Sequence, residues 1–309
     1  MLDNFATAQQ RVNGVTIHFQ HGGKGPPLLL LHGYPQTHVI WHKIADQLAQ
    51  RFTLVMPDLR GYGDSSKPPG ASDHANYSKR VMAQDMVALM AELGHSHFRL
   101  CGHDRGGRVA HRLALDHPGA ILQLMLIDIA PTLTMYDGTD QAFATFYYHW
   151  FMLIQPAPLP ETLLGNNAAF FLNYTLGGWG SHGTDYIDPE AMTAYQRAFC
   201  DAAAIHASCE DYRASATIDL EHDRADADAR IACPLHVVWG EHGVVGRLFD
   251  PLNNWRAKSL GPVSGAACAA GHFIPEQAPS WLLAQMLEFF DTSDALPGSN
   301  VPPTDHGRD

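Results

Sequence analysis

Residues 101–111 read CGHDRGGRVAH, and the aspartate near their centre decides how the rest of the chain is read. Gly102, Gly106 and Gly107 flank Asp104 at the spacing of G-x-S-x-G, a corner where a strand turns sharply into a helix and holds one side chain up at its tip. Small residues are needed there because strand and helix backbones approach closely. The raised side chain is a carboxylate instead of a hydroxyl, and Arg105 and Arg108 stand beside it.

On either side of the corner the chain alternates between strand and helix patterns. Upstream, RVNGVTIHFQ is centred on Asn13-Gly14, the dipeptide of tight hairpin turns, so an antiparallel pair opens the fold. PPLLLLHGYP then reads as a buried strand and WHKIADQLAQ as a helix. FTLVMPD is a second strand, YSKRVMAQDMVALMAELG an amphipathic helix closed by Gly94, and HFRLCGHD a third strand. Downstream, RGGRVAHRLALDHP is a helix stopped by Pro118, and ILQLMLIDIAP a strand. This rhythm predicts a mostly parallel central sheet flanked by helices.

From Pro131 to Arg213 the alternation stops, and an aromatic-rich, helical pattern is broken by QPAPLPE. It resumes at PLHVVWGE, continues through a strand near GAACAAGHF and ends in the helix PSWLLAQMLEFF. Residues 1–130 and 214–309 are therefore expected to form one core with a helical cap, 131–213, inserted between its halves. The tail from about residue 291, rich in Pro, Gly, Ser and Asp, is expected to be flexible.

Composition excludes several partners. With 20 Lys+Arg against 32 Asp+Glu, a net charge of −12 and no basic run, the chain lacks the clustered positive charge that binds phosphate backbones, so no nucleic-acid partner is expected. Apolar runs such as PPLLLL are far too short to cross a bilayer. MLDNFATAQQRVNGV has no basic segment followed by an apolar one, so no signal peptide is read. Five cysteines, odd in number and widely spaced, suit neither a disulfide framework nor a metal site. A cytoplasmic location and the absence of any metal or organic cofactor are the corresponding expectations.

In a parallel sheet, ligands sit beyond the carboxyl ends of the strands. His32-Gly33-Tyr34-Pro35, Asp104 and Asp128 all follow strands, and His272 precedes the last helix. The order nucleophile, acid, histidine matches the α/β-hydrolase arrangement. Asp104 is then the nucleophile, the backbone amides of Tyr34 and Arg105 donate to an oxyanion, and His272 activates water. Its orienting acid could follow PLHVVWG, but WGEHG carries Gly243 where that aspartate would stand. Asp128 takes the role instead. Asp58 in PDLRGYGDSS is read as a turn former.

A carboxylate nucleophile suits displacement at saturated carbon: it forms an ester on the protein, which activated water then hydrolyses. Opening an epoxide and displacing a halide both fit. Across roughly residues 10–290, HGYPQTH, PDLRGYGDSSKP, GHDRGGRVAHRLALDHP, YYHWFMLIQPAPLPE and WGEHGVVG together resemble the fluoroacetate dehalogenases, the haloacetate-hydrolysing branch of the α/β-hydrolase superfamily.

That resemblance implies that Arg105 and Arg108 grip the carboxylate of a small haloacid anion. It further implies that His149, Trp150 and Tyr212 hold the leaving halide, that Trp179 walls the pocket, and that the protein is a homodimer. Tyr34 stands where the family often has Phe. The arginine roles answer a physical need, because a substrate carboxylate beside Asp104 is repelled unless cations intervene. Fluoride, a reluctant leaving group, requires strong donors of the imidazole, indole and phenol kind. The competing readings are an epoxide hydrolase, which wants two cap tyrosines and no anion clamp, and a hydrolase-fold sensor that turns nothing over. For single residues the plainer alternatives are surface arginines paired with acids, and His149 and Trp150 as packing aromatics of the cap.

Overall fold

In the computed structural model, which describes residues 1–291, eight strands form one sheet. These are β1 (Ala6–Val12), β2 (Val15–Gly23), β3 (Pro27–Leu31), β4 (Thr53–Pro57), β5 (Phe98–His103), β6 (Ile121–Ile127), β7 (Leu235–Gly240) and β8 (Val263–Cys268), in the order β1-β2-β4-β3-β5-β6-β7-β8. The hairpin closes at Asn13 and Gly14, both at positive φ (46° and 81°), as a tight primed turn demands. β1 and β2 run antiparallel to their neighbours, and β3 to β8 are parallel.

The apolar run Leu28–Leu31 is fully buried because helices cover both faces of the sheet. Its side chains alternate: Leu29 and Leu31 join the hydrophobic cluster on one face, Leu28 and Leu30 that on the other. Leu124 and Leu126 of β6 divide from Met125 and Ile127 in the same way. The chain visits β4 on one side of β3 and then crosses to β5 on the other. That reversal opens a crevice at the ends of β3 and β5, where Tyr34 and Asp104 follow.

Most expected helices form. Lys79–Glu92 starts from the Ser78 side-chain cap and ends before Gly94 at φ 83°, and Arg105–Asp116 ends two residues before Pro118. The helix expected over 41–50 is different: a 3-10 turn at His38–Trp41 is followed by only Ala45–Leu48. Ile40, Trp41, Ile44, Ala45 and Leu48 are all buried in one cluster, so packing outweighs local helix propensity.

Between β6 and β7 the described residues contain helices and no strand, from Thr132–Asp137 through Ala202–Ala216 to Ile218–Ala225. Ala202–Ala216 runs through the boundary expected at 213. The tail lies outside the described residues apart from its first position. No helix among the described residues is long and apolar enough to cross a membrane.

Candidate active site

Asp104 occupies the corner between β5 and the helix Arg105–Asp116, with φ 48° and ψ −115°, a backbone conformation that costs a non-glycine residue energy. Three glycines permit it. A Cβ on Gly102 would lie 2.5 Å from the Gly106 carbonyl oxygen, one on Gly106 2.4 Å from that of His32, and one on Gly33 2.5 Å from the Asp104 Cβ. The Tyr34 amide donates to Asp104 Oδ1 at 2.8 Å, so Oδ1 is held and Oδ2 is the oxygen that faces His272 Nε2. Burial pushes the Asp104 carboxyl upward, but the electrostatic influence of the surrounding His272, His103, Arg105 and Arg108 outweighs it and holds the group below its ordinary value.

His272 Nδ1 lies 2.5 Å from Asp128 Oδ2. A carboxylate only accepts, so Nδ1 carries the proton and Nε2 presents its lone pair. Asp128, itself at φ 51°, is fixed through its other oxygen by the Gly240 amide at 2.9 Å. Nε2 has no hydrogen-bond partner among the described residues and stands 3.8 Å from Asp104 Oδ2. That is too far for a direct bond and close enough for one water to touch both. A Cβ on Gly243 would lie 3.4 Å from both Asp128 carboxylate oxygens. The two chain positions that could supply the acid thus converge on one place, and this sequence fills it from β6.

The two arginines are buried, with 0% and 3% exposure, and their surroundings differ. Arg105 gives Nε and Nη2 to the Asp211 carboxylate at 2.9 and 2.8 Å, and Nη2 also bonds Ser215 Oγ. Its Nη1 has no partner among the described residues. Arg108 donates only to the Ala130 carbonyl, Thr132 Oγ1 and Met135 Sδ, and it forms no salt bridge among the described residues. Burial, then the neighbouring Arg105 charge, lowers its pKa. A guanidinium removed from water without an acid partner is costly, and such a group calls for an anion.

His149, Trp150 and Tyr212 come from helices of the inserted segment and are all buried. The His149 ring packs 5.5 Å from Tyr212 and 4.3 Å from Trp179. The Trp150 ring lies 6.4 Å from Tyr212 and 4.6 Å from the Arg108 guanidinium. His149 Nδ1 and the Tyr212 hydroxyl have no partner among the described residues. Burial holds His149 far below its usual pKa and so neutral, and it raises Tyr212, with the Asp104 charge adding to the effect. Both remain hydrogen-bond donors without net charge. Trp179, at φ 52°, packs edge-on to His272 at 5.2 Å, and it also lines a cavity of about 560 Å³ with Tyr148, Tyr174, His242 and Arg247. It therefore stands between that cavity and the triad.

Sequence reasoning missed Asp211, and it missed two tyrosine contacts. The Tyr147 hydroxyl lies 3.4 Å from His272 Nδ1, and the Tyr34 ring meets Tyr212 edge-on at 5.2 Å with its hydroxyl unpartnered. In CEDYRAS, Glu210, Asp211 and Arg213 stand together in an otherwise small-residue helix, but nothing in that stretch singles out Asp211 or its distant partner Arg105. Asp58 is a different case: with His18 and His38 it forms a buried group whose ligand atoms lie within 4.8 Å of one another. Its Oδ1 accepts from the His38 amide (2.9 Å) and faces His38 Nδ1 (2.8 Å), and its Oδ2 accepts from the Asp64 amide (2.9 Å) and faces His18 Nδ1 (3.1 Å). Every lone pair is used, as a structural hub requires, with none left for a metal ion.

The sheet order and the Asp104–His272–Asp128 arrangement define an α/β hydrolase, and the signature of that fold family matches residues 26–268. The chain is 45% identical over 298 residues, 96% of its length and 97% of the relative's, to the fluoroacetate dehalogenase of a Burkholderia species. It belongs to the fluoroacetate dehalogenase family of the α/β hydrolases. It is also 30% identical to the soluble epoxide hydrolase of Corynebacterium sp. (strain C12), over 91% of this chain and 96% of that one. The crystal structure of an α/β hydrolase from Nostoc sp PCC 7120 superposes with a TM-score of 0.93 at 53% identity, covering 94% of this chain and all of that one.

Proposed function

We propose that the protein hydrolyses haloacetates, fluoroacetate by preference, to glycolate and halide. The observation that carries this reading is Arg108, a buried guanidinium with no carboxylate partner among the described residues, one helical turn from the nucleophile. A neutral epoxide gives such a group nothing to bind, whereas a haloacetate supplies the missing anion. The 45% identical relative is a fluoroacetate dehalogenase, which points the same way.

The substrate carboxylate sits on Arg108 and on Nη1 of Arg105, with its α-carbon before Asp104 Oδ2. Oδ2 attacks, the carbon–halogen bond breaks, and the halide leaves with the electron pair toward His149, Trp150 and the Tyr212 hydroxyl. His272 Nε2 then takes a proton from water, and the hydroxide adds to Cγ of the new ester. Oδ1 becomes the oxyanion, and the Tyr34 amide is already in place to receive it, with the Arg105 amide as the second donor. Collapse expels glycolate, which takes the proton back from His272, and Asp104, left as a carboxylic acid holding one oxygen from water, releases its proton to solvent and is a carboxylate again. No step calls for a metal or an organic cofactor.

Fluoride-electrode measurement on fluoroacetate, with chloroacetate and styrene oxide run in parallel, tests the reading. Fluoride release with inert styrene oxide supports it. Diol formation without halide release would replace it with epoxide hydrolysis, and no turnover of any of the three would leave a sensor. Leu159, Leu163, Phe170 and Tyr174 expose apolar side chains on the inserted segment, and we infer that the protein is a homodimer, which light scattering would detect. A cytoplasmic location completes the proposal.

A further inference from the structure

Arg105 and Arg108 lie three positions apart on one helix, both out of water, yet only one is charge-balanced by the protein. Asp211, buried in mid-helix on Ala202–Ala216, meets Arg105 edge to edge and accepts from the Tyr62 hydroxyl at 2.6 Å. Lys79 pairs with the same carboxylate and lies 3.4 Å from Asp219. Lys79, Arg105, Asp211 and Asp219 thus form a neutral set of two cations and two anions. Burial acts to raise the Asp211 carboxyl, but Arg105 and Lys79 hold it far below its usual value, so it stays an anion. The next residue, Tyr212, lays its ring over the Arg105 guanidinium at 4.1 Å. One turn of the inserted helix thereby fixes both the edge and the face of a core arginine.

We propose that Asp211 is a positioning residue for the substrate carboxylate: it locks Nε and Nη2 of Arg105, presents Nη1 to the pocket, and leaves Arg108 as the uncompensated cation that draws the anion in. The inference rests on the haloacetate reading for its substrate. Its geometry does not depend on that reading. A planar guanidinium with one edge clamped and one face covered has a single direction in which its remaining donor points. Without the clamp, Arg105 rotates and its Nη1 no longer meets the carboxylate that Arg108 holds. Asp211 touches neither the reacting carbon nor the leaving group. Its loss therefore weakens binding of substrate and transition state alike, which raises KM and spares kcat.

The test compares Asp211→Asn, Ser215→Ala and Lys79→Met with the wild type. Fluoride release gives KM and kcat for fluoroacetate, and thermal shift gives the dissociation constant of glycolate. Asp211→Asn is expected to raise both KM and the glycolate constant about 30-fold with kcat within about 3-fold. Ser215→Ala, which removes a lesser contact to the same Nη2, raises them about 3-fold and keeps the assay informative if Asp211→Asn fails to fold. Lys79→Met perturbs the same network without touching Arg105, so it lowers Tm and leaves KM within about 2-fold. A fall in kcat at constant KM, or a lowered Tm with unchanged KM and glycolate affinity, would overturn the proposal. Wild-type protein that binds glycolate and releases no fluoride would sink the functional reading, and the glycolate constants would still decide the role of Asp211.

Discussion

Two buried clusters in this molecule are built from the same residue types, and only one of them is equipped for catalysis. Around Asp58, two histidines and two backbone amides occupy every carboxylate lone pair. Around Asp104, the Tyr34 amide takes one oxygen, while His272 Nε2, Arg105 Nη1, His149 Nδ1 and the Tyr212 hydroxyl have no partner among the described residues. A buried donor left unmade costs on the order of 1–3 kcal/mol. Several unpaired polar groups within electrostatic reach of one buried carboxylate mark an arrangement for something that enters, and a saturated cluster marks groups arranged for the fold.

The contrast breaks most visibly at the orienting acid. Asp128→Asn should cost roughly 10⁴ in turnover, because an amide in its place favours the wrong histidine tautomer. Adding Gly243→Asp to that variant should recover at least about a tenth of the activity, since its Cβ would lie in contact with the place of the Asp128 carboxylate. Steady-state rates on fluoroacetate decide it, and no recovery would show that the two positions are not equivalent. Next in size, Arg108→Met should raise KM for fluoroacetate on the order of 100-fold, with a smaller effect on kcat. An unchanged KM would place the anion elsewhere.

In the saturated cluster the loss should fall on stability instead. Asp58→Asn leaves buried histidine donors short of an anion and is expected to destabilise by about 3 kcal/mol in urea unfolding, with kcat per folded molecule unchanged. The smallest effect is its pH dependence. Burial acts to raise the Asp58 carboxyl, but His38 and His18 hold it well below the ordinary range. Its stabilisation is therefore complete above the unfolded pKa near 4 and fades as pH falls below that value. The variant should unfold with a shallower acid dependence between about pH 4 and 2, and identical slopes would contradict the assignment.

The elbow at Asp104, the hairpin at Asn13-Gly14 and the order of the triad were legible because each depends on neighbours a few residues apart. The acid was legible by elimination, since Gly243 closed the other option. His149 and Trp150 followed from resemblance, and Tyr212 was one of several tyrosines that no spacing rule separates. Asp211 was not legible: it meets Arg105 across 106 positions, through an insertion whose docking no periodicity encodes. The short helix Ala45–Leu48 escaped for a related reason, because the burial of Trp41 and its neighbours is set by tertiary packing.

The central claim is that Asp104 becomes an ester during turnover, and trapping that ester tests it most directly. His272→Asn, incubated with fluoroacetate and examined by intact-mass and peptide mass spectrometry, should carry one glycolyl group on the peptide containing Asp104, with fluoride released in equal amount and no further turnover. Unmodified protein, or continued hydrolysis without an adduct, would contradict the account.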